Sequence, residues 1–400
     1  MKNNIARLHD CYGCGVCTSV CPVKIIELRE NSAGFYEPVI TDHDKCIECG
    51  LCLKVCAFNH KDIALKTSDI DSYAGWSNNA VIRQRGSSGG VGFEIGKHLI
   101  ENGYTACGVE YNVGNERAEH FLADNIEAFA RSIGSKYIPS FTQTAFEQID
   151  RKGKYLITGT PCQIDSFRRY IKHLKKEDNF ILLDFFCHGV PSMLLWRNYL
   201  HEIESAIGKA NFVSWRNKTG GWHDSWNINI DSVSSENVDC DNFYDINTPE
   251  KIHSYQSRWK GGDLFYKFFL GNYCLNKCCY KSCKYKRFAS SADIRIGDLW
   301  GKTFAGDNLG TSGIVAFTDA GRKLLGELEH CTLQPVSNVT VAEGQMAKSP
   351  SFPLIYNRVI RQLTHGMTLR RIYDSTIRYY RILTLPRRAW ARLKRKISKH

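Results

Sequence analysis

Two runs of four cysteines lie near the N-terminus, Cys11, Cys14, Cys17 and Cys21, then Cys46, Cys49, Cys52 and Cys56, each with two, two and three residues between successive thiols. Three thiolates on one short loop reach three corners of an iron-sulfur cubane, and the fourth corner takes a cysteine from elsewhere. The spacing predicts two [4Fe-4S] clusters with crossed ligation: Cys11, Cys14, Cys17 and Cys56 on one, Cys46, Cys49, Cys52 and Cys21 on the other. Backbone amides in such turns point at the anionic sulfurs and stabilise them. Paired C-x2-C units also suit tetrahedral zinc. Eight cysteines in this order, with Pro22 behind the first run and Ala57 behind the second, favour iron-sulfur and hence single-electron transfer.

Residues 1–65 accordingly resemble a two-cluster bacterial-type ferredoxin domain. A chain of 400 residues is too long for that alone and requires at least one larger core. Seventeen cysteines with no secretory signal place the protein in a reducing compartment, the cytoplasm. No stretch approaches the roughly 18 consecutive apolar residues of a membrane span. Positive charge is concentrated at the C-terminus: residues 351–400 hold thirteen Lys and Arg against Asp374 alone, which accounts for the net charge of +12. There Ile372, Ile377, Tyr380, Leu383, Trp390, Leu393 and Ile397 interleave with basic residues, and Pro386 divides the helical pattern. Such a segment, residues 367–400, fits peripheral contact with an anionic membrane at the inner face of the cell membrane, or a solvated helix. Nucleic acid is disfavoured, because no reading motif accompanies the charge.

After a linker at 66–80, Gly86-Ser87-Ser88-Gly89-Gly90 feeds a helical pattern from Val91 to Glu101. A glycine-serine turn at a helix N-terminus offers free amides to a phosphate, or is only a cap. It is not a dinucleotide fingerprint, since Gly90-x-Gly92-x3-Gly96 has one residue too many. Two strand-loop-helix units follow. The strand at 155–158 runs into Gly159-Thr160-Pro161-Cys162-Gln163 and a helix to about Leu174. Residues 180–186 run into Cys187-His188-Gly189-Val190-Pro191-Ser192 and a helix to about Ile203. Apolar runs alternating with helices predict a largely parallel sheet, whose strand C-termini commonly hold ligands. A third cysteine group, Cys274, Cys278, Cys279 and Cys283, suggests a third cluster. Adjacent Cys278 and Cys279 do not easily point at one cubane, so Cys162 or Cys187 is a candidate lender. Cys107, Cys240 and Cys331 read as packing residues.

In this order, with Gly134-Ser135-Lys136-Tyr137 and Asp293-Ile294-Arg295-Ile296-Gly297-Asp298-Leu299-Trp300-Gly301, the motifs resemble the coenzyme F420 hydrogenase/dehydrogenase beta-subunit family over residues 1 to about 330, including bacterial members encoded in polysaccharide biosynthesis loci. The resemblance implies an FAD flavoprotein that exchanges hydride with a deazaflavin, coenzyme F420, and passes electrons singly to iron-sulfur clusters. It places Gly86, Ser87, Ser88, Gly89 and Gly90 at the pyrophosphate, Lys136 offsetting its charge, and Tyr137 against a ring. Thr160, Cys162 and the Cys187-His188 loop would approach the isoalloxazine or a cluster. Asp298 would hydrogen-bond the flavin or cap a strand end. The cysteine spacing at 274–283 departs from the family's simpler one, and the basic tail is foreign to its F420-dependent subunits.

The expected architecture is α+β / α/β: a ferredoxin domain at 1–65, a mixed-sheet flavin and Fe-S domain with flanking helices at 66–335, and a basic helical extension at 336–400. The expected activity is an iron-sulfur flavoprotein oxidoreductase. A redox partner protein or reduced carrier would meet its ferredoxin domain, and a small-molecule hydride donor or acceptor would meet its flavin. No catalytic residue stands out. The alternatives are an electron-relay subunit without flavin and a scaffold with structural zinc.

Overall fold

The computed structural model describes residues 3–232 and 253–385. Each N-terminal cysteine run closes in a five-residue helix, Val16–Val20 or Leu51–Val55, entered through Gly15 and Gly50 at φ of 74° and 71°. A Cβ at Gly15 would sit 2.0 Å from Thr142 Oγ1, so both the left-handed turn and the close approach of another segment call for glycine. Between the runs, β1 (Ile26–Glu30) and β2 (Tyr36–Ile40) form an antiparallel hairpin.

The remaining strands, in chain order, are β3 (Asp71–Ser77), β4 (Thr105–Asn112), β5 (Arg117–Ala123), β6 (Ser140–Phe141), β7 (Tyr155–Thr158), β8 (Phe180–Phe185), β9 (Phe212–Ser214), β10 (Asn227–Ser232), β11 (His253–Arg258), β12 (Ile294–Asp298), β13 (Ser312–Ala316) and β14 (Cys331–Pro335). Nine of them make one mixed sheet in the order β14-β3-β13-β12-β8-β7-β4-β5-β6. Its centre, β12-β8-β7-β4, is parallel, and antiparallel pairs flank it on both sides. The short β9, β10 and β11 form a separate antiparallel sheet.

Both faces of the large sheet are covered, which explains the unbroken apolar runs of β7 and β8. Leu156, Ile181 and Leu183 pack on one side with the helix Val91–Glu101, around Ile95 and Leu99. Tyr155, Ile157, Phe180 and Leu182 face the other side, where Ile164 and Phe167 of the helix Pro161–Leu174 join Val16, Val20 and Leu53 of the ferredoxin unit in one core. A third core lies around Trp196, Trp215 and Phe265, on the helices Met193–Ile207 and Leu264–Leu270.

The helix Val91–Glu101 and both strand-loop-helix units lie where the sequence places them. Two expectations change. The stretch read as a linker at 66–80 contains β3, which sits inside the sheet between β13 and β14, because its ladder partners come from beyond residue 311. The segment read as a basic tail from 367 is in its first part a core element: Leu369, Ile372 and Ile377 are buried in the third core beside Val359 and Leu363. Pro386, Trp390, Leu393 and Ile397, and also Cys240, lie outside the described residues.

At the centre of the parallel strands, Arg295 of β12 grips Asp184 of β8 with two hydrogen bonds of 2.6 Å, both side chains fully buried. Removing one partner of a buried pair leaves the other charge unpaired in a low-dielectric site. Asp184→Asn should therefore cost about 3–5 kcal/mol, measured as a fall in the urea midpoint at unchanged slope. An unaltered midpoint would show the pair to be dispensable.

Candidate functional site

All four central strands point their C-terminal ends the same way, and the loops after β3, β7, β8 and β12 gather there around a cavity of about 720 Å³. That volume lies within the roughly 300–1,000 Å³ of cofactor and ligand sites. Gly86, Ser87, Ser88, Gly90, Lys136, Tyr137, Thr160, His188 and Asp298 all line it. Gly89 does not. Its amide donates to Ser312 Oγ at 3.0 Å, its carbonyl accepts from Ser77 N at 2.7 Å, and a Cβ there would meet Gly75 O at 2.3 Å. This glycine splices the loop to the sheet, leaving its neighbours to face the cavity.

Two cations that the motif reading passed over set the shape of that loop from behind. Arg216 Nη2 donates to Ser87 O at 2.8 Å, and Lys218 Nζ donates to Ser88 O and, at 2.6 Å, to Arg83 O. Arg216 also makes a double hydrogen bond to Asp298, at 2.9 and 3.1 Å, and donates to Tyr137 Oη at 3.0 Å. Its guanidinium lies about 5 Å from the ring centres of Trp226 and Trp300, a desolvated cation-π position. Burial opposes the charge on Arg216, but Asp298 more than compensates, and its pKa rises. Trp222 Nε1 takes a further hydrogen bond on Asp298 at 2.9 Å. The Asp298 carboxylate, read from the sequence as a flavin contact or a strand-end cap, anchors Arg216 in the cavity wall. The alternation of tryptophans and cations at Trp215-Arg216-Asn217-Lys218 and Gly221-Trp222 was the available signal.

Lys136 is placed differently from the sequence expectation. Its Nζ donates to the carbonyls of Arg131, Ser132 and Ile133 at 2.9–3.2 Å, so all three of its protons hold the turn behind the cavity wall rather than face an anion. Burial lowers its pKa to about 7. Tyr137 stacks on Trp226, with centroids 4.9 Å apart and planes at 22°, forming a flat apolar wall. His188 lies against Phe269, burial holds its pKa down to about 4, and its buried Nε2 has no hydrogen-bond partner among the described residues. A neutral imidazole with an orphaned nitrogen in a cavity wall suits a bound polar group.

Behind the Cys187 loop the structure brings together four thiols. Burial pushes the Cys162 thiol far above its ordinary value, and Cys187, Cys279 and Cys14 add to this. Cys187 is raised to about 11, chiefly by burial, with Cys283 contributing. Burial also raises Cys279, reinforced by Cys187 and Cys283. Val190 N donates to Cys279 Sγ at 3.4 Å. Four thiols drawn together in this way fit a bound metal cluster, which deprotonates coordinating thiols outright. Both candidate lenders therefore join the group. Cys278 neighbours Cys283 as well. Cys274 is buried in the third core, while Cys278 Sγ lies 3.4 Å from Cys11 O on the other side of its helix. Cys107 is a core residue.

In the ferredoxin unit, Cys56 neighbours Cys14, and both Cys11 and Cys17 feel Cys56. Cys52 neighbours Cys49 and Cys21. Cys56 of the second run thus lies among thiols of the first, and Cys21 of the first beside Cys52 of the second. The three groups lie in series: exposed Cys49, then Cys52 beside Cys56 and Cys17, then Cys14 beside Cys162, then Cys187 at the cavity. Tyr12 sits between the last two groups, its hydroxyl donating to Ser282 O at 2.5 Å and its ring edge-on to Tyr285.

Residues 10–60 match the 4Fe-4S dicluster domain. Residues 72–146 match the N-terminal part, and residues 152–339 the C-terminal part, of the coenzyme F420 hydrogenase/dehydrogenase beta subunit. A coenzyme F420-dependent sulfite reductase of Methanocaldococcus jannaschii is 28% identical over 204 residues, 50% of this chain and 31% of that protein. An uncharacterized protein of the same organism is 24% identical over 213 residues, 46% of this chain and 58% of that one. The chain thus spans less than two thirds of either relative. A chain in a structure of the F420-reducing [NiFe] hydrogenase complex from Methanosarcina barkeri superposes with a TM-score of 0.46 at 12% identity, covering 79% of this chain and 94% of that chain. Since both parts of the beta-subunit domain follow a dicluster ferredoxin domain in one continuous order, the chain belongs to the coenzyme F420 hydrogenase/dehydrogenase beta-subunit family and is an iron-sulfur redox protein.

Proposed function

We propose that this protein is a flavin-dependent iron-sulfur oxidoreductase that couples a two-electron reaction in the cavity to one-electron exchange with a partner at the ferredoxin surface. One observation carries the reading: the glycine-serine loop and the Cys187-His188 loop open onto the same cavity, with four neighbouring thiols directly behind it. A bound FAD would supply the conversion, taking two electrons together and releasing them one at a time.

The chain's own residues then divide the work. Gly86, Ser87, Ser88 and Gly90 border the pyrophosphate, their loop drawn back by Arg216 and Lys218 so that its open side faces the cavity. Tyr137 and Trp226 give a planar surface, and His188 Nε2 offers a polar contact from the opposite loop. Asp298 acts through Arg216, and Lys136 holds the turn that presents Tyr137. Cys162, Cys187, Cys279 and Cys283 are assigned to a third [4Fe-4S] cluster. Cys11, Cys14, Cys17 and Cys56 hold one of the two ferredoxin clusters, and Cys21, Cys46, Cys49 and Cys52 the other. Exposure of Cys49 marks the side where a redox partner protein or reduced carrier approaches.

Coenzyme F420 is the leading hydride carrier, by extension from the F420-dependent sulfite reductase relative. Another organic substrate, including one in polysaccharide assembly, remains as the alternative and rests on the sequence resemblance alone. A relay subunit without flavin is the rival reading.

Anaerobic purification followed by iron, sulfide and flavin assays separates these readings. The expected content is about twelve irons and one FAD per chain. About eight irons with no flavin would favour the relay, and zinc in the third site would remove it from the electron path. Cys279→Ser should lose about four irons, whereas Cys274→Ala should keep the full complement. Loss of iron from Cys274→Ala would overturn the ligand assignment. Replacing Ser87 and Ser88 with Trp should abolish flavin retention while leaving iron content unchanged. Wild-type flavin stoichiometry in that variant would remove the pyrophosphate from this loop.

A further inference from the structure

The C-terminal helical segment divides sharply at residue 377. Up to that point its apolar residues are buried: Leu369, Ile372 and Ile377 pack into the third core, and Thr376 donates to Gln362 Oε1 at 3.0 Å. Beyond it, on the helix Arg378–Leu383, the apolar residues turn outward. Tyr379 is 64% exposed, Ile382 60% and Leu383 80%, and Leu385 just after the helix is 60% exposed. Residues at i, i+3 and i+4 share one helical face, so Tyr379, Ile382 and Leu383 form a continuous apolar strip. Tyr380, about 100° round the helix from Tyr379, packs edge-on against Tyr273 and so holds the strip outward. Arg378 borders the strip.

The geometry points to this strip as a docking face for an anionic lipid bilayer, with the helix lying in the plane of the interface. Three observations select that occupant. From residue 378 to the C-terminus the sequence has nine Lys and Arg and no Asp or Glu, a charge that seeks an anionic surface. Nucleic acid would reward those cations but leave the aliphatic side chains of Ile382 and Leu383 in water, whereas the headgroup boundary accommodates both at once. No helix among the described residues is long and apolar enough to cross a membrane, so the contact is peripheral. The strip also narrows the surface suggested by charge patterning alone, because residues 369–377 belong to the core and are not available to lipid.

The test is sedimentation of the full-length, cluster-loaded protein with vesicles of phosphatidylglycerol and phosphatidylcholine, compared with phosphatidylcholine alone. Wild type should pellet with the anionic vesicles only. The triple variant Tyr379→Ser, Ile382→Ser, Leu383→Ser should bind them about tenfold more weakly, since burial of an apolar face adds to electrostatic attraction in such helices. Its visible iron-sulfur absorbance should be unchanged, as none of the three residues is buried. Equal pelleting of the triple variant and wild type would overturn the proposal, as would equal pelleting of wild type with neutral vesicles. Light scattering in the absence of lipid gives a second measurement. A wild-type oligomer that the triple variant dissolves would assign the face to a second copy of the chain and overturn the lipid assignment.

Discussion

The arrangement depends most on the buried Asp184–Arg295 pair. Asp184 lies three residues before Cys187, and Arg295 follows the loop that begins at Cys283. The same guanidinium accepts no competitor: besides the carboxylate it donates to the carbonyls of Tyr285, Arg287 and Ala289, at 3.3, 2.5 and 3.2 Å. One planar group thus fixes the end of β8 and the 285–289 loop relative to each other, and with them two thiols of the buried group. Lys286 completes the link by donating to Cys187 O and His188 O, at 2.8 and 3.1 Å. A fork of five donors in a fixed plane suits this task, and a lysine's single point charge does not.

The parallel centre of the sheet places the chemistry at one end. Strands that run the same way deliver their following loops to a common edge, so motifs far apart in sequence converge without long connections. The antiparallel flanks have another role. β3 enters beside β13, and its direction brings the glycine-serine loop to the same edge as the loops of β7 and β8. Reversing that one strand would carry residues 86–90 to the far side of the sheet.

Much of this was legible in the sequence, for identifiable reasons. The cysteine runs carry ligand geometry in their spacing, and the units at 155–174 and 180–203 announce themselves by buried apolar runs followed by capped helices. β3 was hidden because Asp71 pairs with Ala316 and Ser77 with Cys331, partners that no local pattern reveals. Arg216 and Lys218 were hidden for a related reason. A buried cation acquires its meaning from the carbonyls and carboxylate it meets, here more than 70 residues away in each case except Ser225. The C-terminal segment misled in a different way, since core-facing and solvent-facing apolar residues on a helix have the same spacing and only the neighbouring elements distinguish them.

The adjacent pair Cys278 and Cys279 shows how local geometry constrains electron flow. Successive residues on a helix point about 100° apart, so Cys279 faces the buried thiol group while Cys278 faces Cys11. The turn between them is stitched to the ferredoxin unit by Asn276 Nδ2 donating to Cys11 O at 3.2 Å and Tyr12 Oη donating to Ser282 O. From the other side, Ser166 Oγ accepts from Ala57 N at 3.0 Å and lies 3.3 Å from Cys14 Sγ, four residues along the helix from Cys162. Two separate segments of the large domain, each carrying thiols of the buried group, therefore grip the ferredoxin unit within a residue or two of its own ligands. On the proposed assignment of these thiols to a cluster, transfer would run between groups tied together at these points, with its two ends at the surface near Cys49 and the cavity by Cys187.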